Sequence, residues 1–173
     1  MIVDPELLSA YYAEFRRMAR NALAGADRRL TLQPTELAHE AAARLLDSHG
    51  VKVRDEVHFL ALSARTIRLT LIDEIRRRRA AKRDQAVVTV WRDGQDGEVA
   101  QDGDVPLDIE AFDDLLSRLA QIDADAARVV EMRFYVGMTM EEIARALAVS
   151  ESTTLRRWRT ARAWLFKELQ AAA

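Results

Sequence analysis

The stretch Arg156–Arg162, "RRWRTAR", sets four guanidinium groups in seven residues. A guanidinium is a planar fork of donors that matches guanine O6 and N7 in a major groove, or two oxygens of a phosphate. That chemistry needs a rigid face, and the residues upstream, "GMTMEEIARALAVSESTTL", have the spacing of two helices joined by a tight turn. Thr139 and Glu142 are placed as a capping box that starts the first helix. Ile143, Ala144 and Leu147 then face inward, with Ala144 small enough for a close crossing. "AVS" makes the turn: Val149 fills the gap between the helices and Ser150 caps the second. On that second helix Thr154, Trp158, Ala161 and Leu165 recur at i, i+4, i+7 and i+11, a buried stripe. The opposite face presents Ser152, Thr153, Arg156, Arg157 and Arg159. The N-terminal half of such a helix enters a major groove. A merely solvated arginine face is the bland alternative. The cap, small crossing residue, turn residue and second cap all arriving in register favour a helix-turn-helix that reads DNA.

A second cationic edge lies upstream. "HFLALSARTIRLTLIDEIRRRRAAKR" combines one apolar stripe with Arg65, Arg68, Arg76, Arg77, Arg78 and Arg79, and residues 76–83 hold six cations in eight positions. A basic helix end complementing its own macrodipole explains one or two arginines, not four in a row. A phosphate backbone explains the rest, with a strongly salt-dependent affinity. The formal net charge of −2 conceals this segregation, because residues 93–114 carry nine carboxylates and no Lys or Arg. Blocks of opposite sign steer a polyanion toward some surfaces and away from others.

Other chemistries find little footing. There is no cysteine, hence no disulfide framework, and His39, His49 and His58 have no ligand-like spacing, so neither a metal site nor a cofactor is expected. Glu40 beside His39 does not make an acid–base pair, because adjacent helix residues point in different directions. No apolar run approaches the roughly 20 residues that span a bilayer. The first residues, "MIVDPELLSAYY", lack the basic leader and apolar block of a secretory signal. A cytoplasmic protein without membrane partners and without enzymatic activity is the expectation.

The elements that position these residues are all helical. Residues 6–25 carry Leu7, Leu8, Tyr11, Phe15, Met18 and Leu23 at helical spacing, with Gly25 as a stop. A helix starting at Pro34 and closing before Gly50 follows, then a long one from Glu56 to Lys82 with Phe59, Leu62, Ile67, Leu71 and Ile75 on its stripe. Residues 84–108 contain three glycines, many aspartates and no 3.6 period. "AVVTVW" could form a short strand, but an unpartnered strand is unstable. The segment therefore reads as a flexible acidic linker, with Trp91 expected to anchor it in a domain crevice. "IEAFDDLLSRLAQI" and "DADAARVVEMRFYVG" give two more helices before the opening stretch. The expected fold is all-α: a small helical domain over 1–83, a linker over 84–108 and a second helical domain over 109–173.

Taken together, these segments resemble a bacterial extracytoplasmic-function sigma factor, the small two-domain class of the sigma-70 family. "FLALSARTIRLTLIDEIRRRRAAKR" is similar to the family's −10 recognition and melting helix. "PTELAHEAAARLL" is similar to the helix that docks on the RNA polymerase clamp coiled coil. The segment from "LLSRLAQI" through "RTARAWL" resembles the −35-reading domain almost throughout. The resemblance implies that Arg65, Thr66, Arg68, Arg76 and Arg77 meet the −10 element, with a flipped base beside the loop Ser48–Glu56. It implies that Glu36, Leu37 and Glu40 meet core polymerase, whose clamp and flap would be partners beside promoter DNA. The linker would then run near the RNA exit path, its charge mimicking nucleic acid.

Two positions depart from the family pattern. Thr66 stands where Asn is usual, which bears on −10 preference. Gln33, Pro34, Thr35 and Glu36 stand where an acidic run is usual, so charge complementary to the basic clamp is missing. A phosphate on Thr35 would restore about two negative charges at a helix N-terminus. "L-x-L-Q-P-T-E-L" resembles a sigma subgroup associated with Ser/Thr protein kinases, making Thr35 a candidate phosphorylation site and a kinase a candidate partner. An anti-sigma factor wedged between the domains is the other regulator that the resemblance allows. A stand-alone helix-turn-helix repressor is the competing reading, and it predicts tight operator binding without polymerase.

Overall fold

A computed structural model describes residues 1–24, 26, 30–82, 88–91 and 105–172, with only the backbone described for 82, 88–91 and 105–107. Helix α1 (Pro5–Ala10) begins at Asp4, whose carboxylate accepts from the Leu7 amide at 2.8 Å. Tyr11, at φ −103 and ψ 14, breaks the expected single helix, and α2 (Tyr12–Leu23) follows. Helix α3 (Pro34–Asp47) opens on a reciprocal capping box between Gln33 and Glu36, with Pro34 at its first position. Helix α4 runs from Glu56 to Lys82, the interval that its sequence pattern predicts. The first three residues close this group: Val3 donates to the Val51 carbonyl at 3.0 Å and Val53 to the Met1 carbonyl at 2.8 Å.

Within the expected linker, strand β1 (Val88–Trp91) pairs antiparallel with β2 (Val105–Asp108), Val88 opposite Asp108. The short strand at "AVVTVW" thus has a partner, which the sequence reading did not supply. Residues 92–104 and the Trp91 side chain, with its proposed anchoring, lie outside the described residues, as do Gly25 and Arg83. The ribbon delivers Asp108 as N-cap of α5 (Ile109–Ile122), its carboxylate accepting from the Glu110 amide at 2.9 Å. Asp123 likewise caps α6 (Ala124–Glu131). A π-helical turn, Met132–Val136, then ends in Gly137 at φ 74, and α7 (Met140–Leu147) and α8 (Glu151–Ala172) complete the chain. Apart from the ribbon, the architecture is all-α.

One apolar core runs through both groups of helices. Phe15, Met18, Leu37, Phe59, Ile67 and Leu71 are buried on the N-terminal side, and Ile109, Phe112, Leu116, Val129 and Tyr135 on the C-terminal side. At about 25 cal/mol per Å² of apolar area, side chains of this size stabilise by about 2 kcal/mol each. The two groups meet where α2 and α4 pack on α5, α6 and the π turn. No helix is long and apolar enough to cross a membrane among the described residues.

Candidate nucleic-acid interface

At the C-terminal end the local signals produce the expected geometry. The Thr139 amide donates to Glu142 Oε2 at 2.7 Å and the Glu142 amide to Thr139 Oγ1 at 3.2 Å, completing the capping box. Ile143 and Ala144 are buried, and Ala148 turns the chain at φ 53. The Ser150 hydroxyl then accepts from the Thr153 amide at 3.1 Å, starting α8. Thr154, Trp158, Ala161 and Leu165 are all buried, so the other face of α8 is fixed toward solvent.

On that outer face Ser152, Arg156 and Arg159 are exposed. Ser150 Oγ lies 3.1 Å from Ser152 Oγ and donates to Thr153 Oγ1 at 2.8 Å, gathering three hydroxyls at the helix N-terminus. Backbone N–H groups and the positive end of the dipole make such an end hospitable to phosphate. Arg157 sits differently from its neighbours. It is half-buried, its Nη2 3.0 Å from Asp125 Oδ2, and Nη1 is buried without a hydrogen bond. It ties α8 to the start of α6.

On α4 the arginines divide. Arg65 is exposed. The Thr66 hydroxyl donates back to the Leu62 carbonyl at 2.9 Å. Arg77 is exposed but pairs with Glu74, which also accepts from Arg78. Burial works to raise the Glu74 carboxyl, but the Arg78 hydrogen bond and the charges of Arg77 and Arg78 together hold it below the usual carboxylate range. Arg76 lies 3.5 Å from both Glu110 and Asp114, and Arg79 pairs with Glu110.

Arg68 is only 8% exposed. Its Nε donates to Asp113 Oδ1 at 2.6 Å, Nη1 to Glu131 Oε1 at 3.0 Å and Nη2 to Ser117 Oγ at 2.9 Å. Burial disfavours its charge, and Glu131 and Asp113 more than offset that, so the guanidinium is held charged more firmly than usual. Burial lifts the Glu131 carboxyl above its ordinary range by more than Arg68 pulls it down. The Tyr135 phenol, fully buried beside these groups with no hydrogen bond, is pushed far above its ordinary value by the same loss of solvent.

On α3, Glu36 and Glu40 are exposed, Glu40 lying 3.6 Å from Arg44. Leu37 is 1% exposed, so it serves this face by anchoring α3 to the core rather than by contact. Thr35 is half-buried in the first turn. A cavity of about 170 Å³ lies between α3 and α4, lined by Leu32, Glu36, Glu40, Thr70, Arg77 and Arg78 among others. In the loop Ser48–Glu56, His49 and Gly50 both take positive φ, and the Arg54 amide donates to His58 Nδ1 at 3.1 Å.

The sequence reading missed Asp113, Glu131 and Glu110 as partners of the α4 arginines. A signal was present: Asp113 occupies i+4 of the stripe begun by Ile109, and Arg68 occupies i+4 from the buried Ala64. A charge on each of two apolar stripes is the pattern of a buried pair.

The model of the ECF sigma factor family matches residues 3–171 of the chain. No curated protein and no solved structure matches it.

Proposed function

Because the chain belongs to the ECF sigma factor family, and so is a non-enzymatic RNA polymerase sigma factor that binds core polymerase and promoter DNA, we propose a division of labour among its faces. The outer face of α8, with Ser152, Thr153, Arg156 and Arg159, reads the −35 element. Arg65, Thr66, Arg76 and Arg77 on α4 engage the −10 element, beside the loop Ser48–Glu56; Arg68 joins them only by releasing Asp113 and Glu131. Glu36 and Glu40 on α3 meet the polymerase clamp, and the C-terminal helices meet the flap. The carboxylates of residues 93–104 suit a basic channel of polymerase. Polymerase places the action in the cytoplasm.

The observation that carries this reading is α8 itself: a helix whose buried stripe turns two exposed arginines and a hydroxyl cluster outward together. Arg157 joins the reading face only by releasing Asp125, so its contribution is smaller than that of Arg156 or Arg159.

The test is run-off transcription with core polymerase on a promoter selected from random sequence. Arg156→Ala and Arg159→Ala should each cost about 1–3 kcal/mol of −35 binding, and relax specificity where they touch a base. Equal transcription by wild type and both variants would remove α8 from the reading face.

The finer reading is control through Thr35, as in a kinase-associated subgroup. Its support is the missing acidic run and the position of Thr35 in the first turn of α3, where added negative charge is favoured. Core polymerase pull-down should be stronger for Thr35→Asp and for the phosphorylated chain than for wild type and Thr35→Ala. Equal capture of all four would end the kinase reading and leave an anti-sigma factor as the candidate regulator.

A further inference from the structure

Residues 1–3 lie against the loop Ser48–Glu56. Val3 donates to the Val51 carbonyl and Val53 to the Met1 carbonyl, and these bonds flank an antiparallel pairing of Ile2 with Lys52. We propose that Ile2 and Lys52 form a floor for the unpaired −10 strand: Ile2 packs against the face of a displaced base, and Lys52 meets a phosphate beside it. This rests on the assignment of the loop to that strand.

Three observations carry the proposal. First, the pairing decides which side chains face out. Opposed residues of an extended pair share a face, and faces alternate along each strand. Val3 and Val53 are buried, so Ile2 and Lys52 are turned outward together. Because the flanking bonds bypass this pair, its side chains stand at the closer of the two antiparallel spacings. Second, the outward pair joins the two chemistries that hold a single strand. Ile2 is 52% exposed, and with Met1 it supplies two of the four large apolar side chains exposed among the described residues. Lys52 and Arg54 are exposed beside it. A platform for a base face next to cations for the backbone is how unpaired strands are held. Third, the acids next in sequence are turned elsewhere. Asp4 accepts from the Leu7 amide at 2.8 Å and Asp55 from the His58 amide at 2.7 Å, at the starts of α1 and α4. Among the described residues no carboxylate pairs with Lys52 or Arg54, whereas Arg76 and Arg79 of α4 meet Glu110.

The test uses the chain assembled with core polymerase and a fluorescent single-stranded oligonucleotide carrying the −10 sequence found by selection from random DNA. Each nucleotide in turn is replaced by an abasic one. Ile2→Ala, which keeps the backbone pairing, should weaken binding about fourfold, the equivalent of one buried CH2 group. That loss should vanish when one particular nucleotide is abasic, because its base is the partner of Ile2. Lys52→Met keeps an apolar stem and removes the charge. It should reduce the slope of log affinity against log salt by about 0.7, the share of one phosphate on a single strand. Both side chains are exposed, so neither substitution should lower Tm. Capture of core polymerase without DNA should also be unchanged.

A loss in Ile2→Ala that is the same with every abasic oligonucleotide overturns the proposal, since no base then rests on that side chain. So does unchanged affinity in both variants while Arg54→Ala still weakens it, because the loop would then hold the strand without this floor. If none of the three substitutions alters oligonucleotide binding, the assignment of the loop fails and the floor falls with it. Weaker capture of core polymerase by Ile2→Ala in the absence of DNA would make residues 1–3 a polymerase contact and overturn the proposal too.

Discussion

Ala148 is the residue that joins α7 to α8, and it does so at φ 53 and ψ 42. A Cβ in the left-handed region crowds the following carbonyl, a cost of about 1 kcal/mol that glycine does not incur. Ala148→Gly should therefore stabilise the chain by about 1 kcal/mol and raise Tm by roughly 2–4 °C, read by calorimetry. An unchanged or lower Tm would mean that the turn relaxes in solution. Glu74 makes the pH dependence concrete. Its carboxyl lies below its unfolded value in the folded chain, so its contribution is present above the unfolded value and is lost as pH falls through the folded one. The stability gap between wild type and Glu74→Gln should be widest at neutral pH and close in acid. Urea melts at a series of pH values measure it, and a gap that widens in acid would reverse the assignment.

At the scale of the element, what was legible is what is local. The starts of α3, α7 and α8 follow from Pro34, the Thr139–Glu142 box and Ser150, because each cap satisfies amides within four residues of itself. The buried stripe of α8 was equally legible, since apolar spacing alone fixes which face turns inward. Trp158→Ala should cost about 3–5 kcal/mol and abolish −35 binding with it, a loss that thermal melting separates from the purely functional loss of Arg156→Ala. Where reading failed, the cause was not local. The break at Tyr11 leaves the apolar spacing nearly intact. The π turn at Met132–Val136 looks like a continuation of α6, and β1 needed partners 14 to 20 residues away in sequence. The burial of Arg68 was missed because arginines on a helix edge read as solvent-facing. Only tertiary packing brings Asp113 and Glu131 to it.

For the molecule as a whole, Gly137 lies at the seam between the two groups of helices. Its φ of 74 lets the chain end the π turn, and a Cβ built there would stand 2.8 Å from Asn21 Nδ2. Those same atoms hold the groups together, since Asn21 donates to the adjacent Val136 carbonyl. Gly137→Ala should therefore carry two separable costs: left-handed strain of about 1 kcal/mol, and a steric clash that exists only while the groups are docked. Asn21→Ala removes the clash but not the strain. The costs of the two substitutions should then fail to add, the double variant being more stable than the sum of the single effects implies. Urea melts of wild type, the two single variants and the double variant measure it, and costs that add would mean that Gly137 and Asn21 do not meet in solution.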